Sequence, residues 1–187
     1  MKFEKIAGFC GLILPFFALI ALFLSINMSS NFSWTENAIS DLGMFESSSL
    51  LFNSTIIISG FLLMIFSIGL PKMLELQKIS YILLFLSSFF LIGIGIFPLP
   101  NPTHIYISGL FFISFPLSFL ILGLHLYKRN DSFEKRVGIS AISITIIAMI
   151  SPVFLLFFNG IAIPEIIIVA PGFFWCMAYS FCCFFKE

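Results

Sequence analysis

Six runs of about twenty apolar residues fill this chain, and every lysine and arginine lies at a terminus or in alternate connections between them. The runs are residues 6–26, 49–70, 79–97, 104–127, 137–158 and 165–185. A hydrocarbon core of about 30 Å takes about 20 helical residues to cross. Within lipid the backbone must satisfy its own hydrogen bonds, so runs of this kind fold as helices. The nine cations are Lys2, Lys5, Lys72, Lys78, Lys128, Arg129, Lys135, Arg136 and Lys186. With six spans all nine fall at the end that holds the N-terminus, whereas five or seven spans would scatter them. The opposite end carries Glu36, Asp41, Glu46 and Glu165 instead. Basic loops mark the cytoplasmic side. The reading is an all-α polytopic membrane protein with six transmembrane helices, N-in/C-in, forming a single domain over 1–187.

Composition excludes the soluble alternatives. The chain is 60% hydrophobic and 10% charged, against about 25% charged in soluble domains. Its net charge is zero, so there is no basic surface for nucleic acid. Cys10, Cys176, Cys182 and Cys183 all sit inside apolar runs without a CxxC pair, which argues against a disulfide framework or a thiolate zinc site. Cys182 and Cys183, near a helix end, suit acylation; small apolar fillers are the plainer reading of all four. The run at 6–26 exceeds a signal-peptide core of about 7–15 residues and no small-x-small site follows, so it is expected to be retained.

The longest polar stretch is 33–48, inside the connection 27–48, with three carboxylates and no cation. It is expected on the outer side, covering the helix ends. Polar groups at membrane depth are costly and usually face a bundle interior or cavity. On the outer level the sequence places Asn37, Ser40, Asp41, Asn53, Thr55, His104 and Glu165. Asp41 and His104 form the candidate pair, since a carboxylate against an imidazole fixes its tautomer and lets it act as a base. With Glu165 added, the three can hold one divalent metal through nitrogen and oxygen. Asp41, His104 and Glu165 are therefore the candidate catalytic set, and Asn37, Ser40, Asn53 and Trp175 the candidate binding residues. Ser40 is a conceivable nucleophile. No HExxH or GxSxG pattern fixes a reaction. Purely structural roles compete for each residue: Ser40 and Asp41 as caps of a short turn, Thr103 as an N-cap ahead of His104, Glu165 as the acid after Pro164 that opens a helix.

The even-numbered spans share a faint pattern. Thr55-IIISG, His104-IYISG and Glu165-IIIVAPG each give a polar residue, an isoleucine-rich turn and a glycine, as three similar helical hairpins would. Pro15, Pro116, Pro152 and Pro171 lie within spans and are expected to kink them.

Several pieces resemble one family: Asn37-Ala-Ile-Ser-Asp-Leu-Gly43, Phe52-Asn53 with Gly60, Gly95-Ile-Phe-Pro98 followed by His104, and Gly160 with Glu165 and Trp175. Together they are similar to the prokaryotic membrane proteins grouped as domain-of-unknown-function family 998. The family's usual basic residue after the acid of the sixth span is Ile166 here. The resemblance implies a six-helix fold, a prokaryotic plasma membrane and no assigned activity. A distant similarity of that family to eukaryotic proteins of lipid-anchor remodelling tilts the expectation toward lipids.

Three functions follow. The first is binding or processing of a lipid or amphiphile at a polar pocket on the outer face, with membrane lipids as partners. The second is a structural or assembly subunit, in which the polar cluster is capping alone. The third is a small-molecule transporter, which requires a polar path to the inner face.

Overall fold

The computed structural model describes residues 3–74 and 78–184, with side chains for 3–71 and 81–181. Among these residues there are six α-helices and no strand. They are α1 Phe3–Met28, α2 Ser49–Leu74, α3 Lys78–Ile96, α4 Thr103–Tyr127, α5 Ser132–Ile150 and α6 Ala162–Phe184. Five are long and apolar enough to cross a membrane, and α3 carries a shorter apolar segment, Tyr81–Ile96. This is the architecture of an integral membrane protein.

Helix ends follow local chemistry. Helix α5 begins at Ser132, earlier than the apolar run at 137, because Asp131 caps it by accepting the Glu134 N–H at 2.8 Å. Glu134 also pairs with Arg129 at 3.2 Å. Helix α4 starts at Thr103 behind Pro102, so Thr103 is its first residue and not its cap. The Asn101 side chain takes the Thr103 N–H at 2.9 Å in its place. Helix α2 does not stop at Pro71 but continues to Leu74; where water is scarce, the helix remains the best way to satisfy the other backbone groups. Helices α1, α4 and α6 likewise run through Pro15, Pro116 and Pro171. At Pro152 the α5 helix gives way to a 3-10 segment, Ser151–Leu156. Side chains at Lys72, Lys78, Cys182 and Cys183, and residues Lys2, Glu75 and Lys186, lie outside the described set.

Successive helices pack against each other in chain order, and α6 packs back on α1. The result is a closed ring of three hairpins. Small residues let the backbones approach. A Cβ on Gly123 of α4 would stand 2.7 Å from the Gly138 carbonyl of α5. Between helices, Ser87 bonds Ser114 at 2.9 Å and Thr145 bonds the Pro116 carbonyl at 2.9 Å.

An aromatic column fills half of the ring's interior. Phe111, Phe115 and Phe119 recur every fourth residue on α4 with centroids 5.2 and 5.1 Å apart. Phe173 meets Phe115 edge-on at 5.9 Å, Trp175 meets Phe119 at 5.4 Å, and Tyr179 stacks on Trp175 at 5.5 Å. Buried hydroxyls in this half, Ser67, Ser118 and Ser180, donate to carbonyls of their own helices.

The ring geometry yields a paired test. Gly123→Ala overpacks the α4–α5 contact and should cost about 1–3 kcal/mol. Gly109→Ala, where nothing lies within 4 Å of the added carbon, should leave stability unchanged or raise it by about 0.5–1 kcal/mol. Thermal unfolding of the two variants in detergent checks the contrast.

Candidate functional site

The connection between α1 and α2, residues 29–48, folds back as a hydrogen-bonded cap on one end of the ring. Its centre is a 3-10 turn, Ile39–Gly43. The first N–H groups of such a turn have no partner within it. Two carboxylates supply them. Asp41 reaches back to the Ala38 N–H at 3.0 Å. Glu165, from the first turn of α6, accepts the Ile39 N–H at 2.5 Å across 126 residues of sequence. A carboxylate at a helix N-terminus is also favoured by the backbone dipoles there.

The rest of the cap is tied down as thoroughly. Asn37 bonds Asp41 Oδ2 through Nδ2 at 2.9 Å and takes the Ser33 N–H on Oδ1 at 2.9 Å. Its carbonyl accepts the Ala162 N–H at 2.9 Å, and the Gly160 N–H donates to Thr35 at 2.7 Å. Gly160 is needed here, because a Cβ on it would collide with the Asn37 backbone. Asn53 donates to the Gly43 carbonyl at 3.1 Å, and Ser48 to the Leu42 carbonyl at 2.7 Å. Asn159 reaches Glu36 at 3.0 Å.

Beneath this cap lies a cavity of about 100 Å³, lined by α1, α2, α3, α4, α6 and the turn. At the capped end its polar wall is Ser40, Thr55, His104 and Glu165; Ser59 and Ser108 stand one helical turn deeper. The remainder is apolar, with Leu19, Leu22, Ile56, Leu91, Ile94, Phe111, Val169 and Phe173. Phe111 and Phe173 are also members of the aromatic column, which therefore forms the floor.

The His104 imidazole is buried, and its Nδ1 lies 2.9 Å from the Phe97 carbonyl. A carbonyl only accepts, so Nδ1 carries a proton and Nε2 is the ring nitrogen left to face another partner. The tautomer is thus set by Phe97 and not by Asp41. Asp41 is committed to Asn37 and Ala38. The expected Asp41–His104 pair is not made, and no three His, Cys, Asp or Glu side chains converge as a metal site among the described residues. Asp41, His104 and Glu165 thus do not stand together as a three-ligand group among the described residues.

Of the candidate residues, the fold brings His104, Glu165, Ser40 and Thr55 to one cavity. Asn37, Asp41 and Asn53 build the cap. Trp175 lies away from the cavity, with its indole N–H on Ser140 Oγ at 3.1 Å. The sequence reading passed over Ser59 and Ser108. Each follows a recognised residue by four, Thr55 and His104, and so shares its helix face.

The sequence profile of the protein family of unknown function DUF998 matches residues 12–181, and the chain belongs to that family. No match was found among curated proteins or solved structures.

Replacing Glu165 by Ala should leave the Ile39 N–H without its acceptor, at a cost of about 1–3 kcal/mol. Gly160→Ala should lift the cap by steric exclusion alone. Hydrogen–deuterium exchange across 33–48 should accelerate in both variants while the α3 and α4 amides keep wild-type protection. Unchanged exchange in 33–48 would show that the cap does not depend on these contacts.

Proposed function

We propose that this DUF998 protein binds the apolar part of a small amphiphile in the capped cavity, with the polar end of the ligand beside His104 and Glu165. The carrying observation is the distribution of chemistry within one cavity. Its ionisable groups, His104 and Glu165, stand at the capped end with Ser40 and Thr55, two serines follow one turn deeper, and the rest of its lining is aliphatic and aromatic. Sites that accept small molecules typically combine an apolar lining with a few convergent polar groups. A cavity of about 150 Å³ lined by such residues holds a molecule the size of benzene, so about 100 Å³ suits a short chain or the end of a longer one.

The aromatic floor supports binding over transport. Beyond it the buried hydroxyls are spent on backbone carbonyls, and a polar path needs groups free to exchange partners. A hydrolytic step has less support. Ser40 lines the cavity, but His104 holds its bond to Phe97 and no bond joins it to Ser40.

The distribution of charge supports an orientation. The capped end has Glu36, Asp41, Glu46 and Glu165 and no lysine or arginine among the described residues, and in the sequence all nine lysines and arginines fall in the alternate connections or at the termini. We place the cap outside and both termini inside a prokaryotic plasma membrane, with membrane lipids as the source of ligand.

Native mass spectrometry in mild detergent tests the binding. Ala170→Phe, which fills the cavity, should abolish a small-molecule adduct, whereas Leu156→Phe on the exposed surface should retain it. Equal adducts on both variants would contradict the cavity as the site. For the orientation, a cysteine at exposed Glu36 should react with an impermeant maleimide on intact cells, and one at exposed Asn130 only after lysis. The reverse pattern would invert the topology.

A further inference from the structure

Two features of the cavity are unexplained by the contacts of the folded chain. The first is charge. Glu165 is 8% exposed and has no cationic partner among the described residues; the other ionisable lining residue is His104. The capped end holds three more carboxylates and, among the described residues, no lysine or arginine. A buried carboxyl with no cation beside it stays protonated or takes a cationic partner. The Glu165 carboxylate accepts from the Ile39 N–H, with the Ser40 backbone also directed at it, and a carboxylate has about four lone-pair positions in all.

The second feature is Ser59. Its hydroxyl is buried, at 1% exposure, and has no hydrogen-bond partner, although the residue lines the cavity. A serine in a helix usually bonds the carbonyl one turn back, as Thr55 does to Leu51 at 2.7 Å. An unmade buried hydrogen bond is expensive. The other unpartnered group, His125 Nε2, is near the far end of α4 and outside this cavity.

We infer that the ligand of this cavity is an amino-alcohol amphiphile, with a protonated amine at Glu165 and a hydroxyl that reaches Ser59. The inference rests on the binding reading above and names its chemical class. An ammonium brings three donors. Glu165 supplies the counter-charge, and Nε2 of His104, when the ring is neutral, and the hydroxyl of Ser40 or Thr55 supply further acceptors at the same end. Ser59 lies four residues beyond Thr55 along α2, about 6 Å deeper. A hydroxyl there both donates and accepts, so it satisfies Ser59 whichever way the serine rotates. The same wall rejects carboxylates and phosphates, because it offers an anion no cation and a negative field.

Four five-carbon probes test this on the purified full chain in detergent by titration calorimetry: 5-amino-1-pentanol, pentylamine, 1-pentanol and pentanoate. The expected order is aminopentanol, then pentylamine, then pentanol, with pentanoate unbound. The amine should confer about tenfold or more over pentanol, as charge-assisted bonds do. Ser59→Ala should remove the advantage of aminopentanol over pentylamine and keep the preference for the amine. Glu165→Gln should bring pentylamine down to pentanol. Because the order is read first on wild type, a failure of Glu165→Gln to fold does not rescue the idea. Pentanol or pentanoate binding as well as pentylamine would overturn it. If Ala170→Phe still abolished that binding, the amphiphile reading would stand without its amine. Saturable binding of none of the four would overturn both.

Discussion

The bond from Glu165 to the Ile39 N–H is the contact on which the capped end depends. It joins the last helix to the first connection, beside the backbone bonds of Gly160 and Ala162, at the end of a ring that α6 closes by packing on α1. The 3-10 turn needs acceptors for its leading N–H groups, and a membrane boundary is a poor place to rely on water. Glu165 provides one from α6 while Asp41 provides another from within the turn. A residue that would be costly to bury alone becomes the anchor of a roof. The same carboxylate is part of the cavity wall. Cap and cavity therefore share a residue, and disturbing one disturbs the other.

The interior divides along the membrane normal. Toward the basic end, rings from α4 and α6 interlock and leave hydroxyls bonded to their own helices. Toward the acidic end, Ala18, Ser59 and Ala170 are small where α4 is large, and a space remains. Six helices arranged as a ring cannot all meet at the axis, so side-chain size decides where the axis is filled. Here phenylalanine fills one half and the carboxylate-held turn covers the other. That division is what a binding protein open to one side would use, and what a conduit would avoid.

Much of this was legible before any coordinates. The segregation of nine cations gave the helix count, and polar residues at the cation-free end marked the level of the site. The faint repeat was informative in an unexpected way: Thr55, His104 and Glu165, the polar residue of each even helix, all reach the cavity. What was not legible was pairing. Sequence spacing cannot tell that the Phe97 carbonyl, in the turn just before α4, meets the imidazole while Asp41, two helices earlier in the chain, bonds Asn37 and Ala38 instead. Nor does it show that Asn37, Asp41 and Asn53 spend their hydrogen bonds on the cap. Trp175, a candidate binding residue, instead gives its indole N–H to Ser140 of α5, away from the cavity.

The most direct measurement is an experimental structure of the protein in a lipid nanodisc, at a resolution that separates a bound chain from side chains. The account predicts the Ile39–Gly43 turn seated on Glu165, with continuous non-protein density beneath it that starts beside His104 and ends at Phe111 and Phe173. A turn lifted away from α6, or a cavity closed by its own side chains with lipid only around the ring, would contradict it.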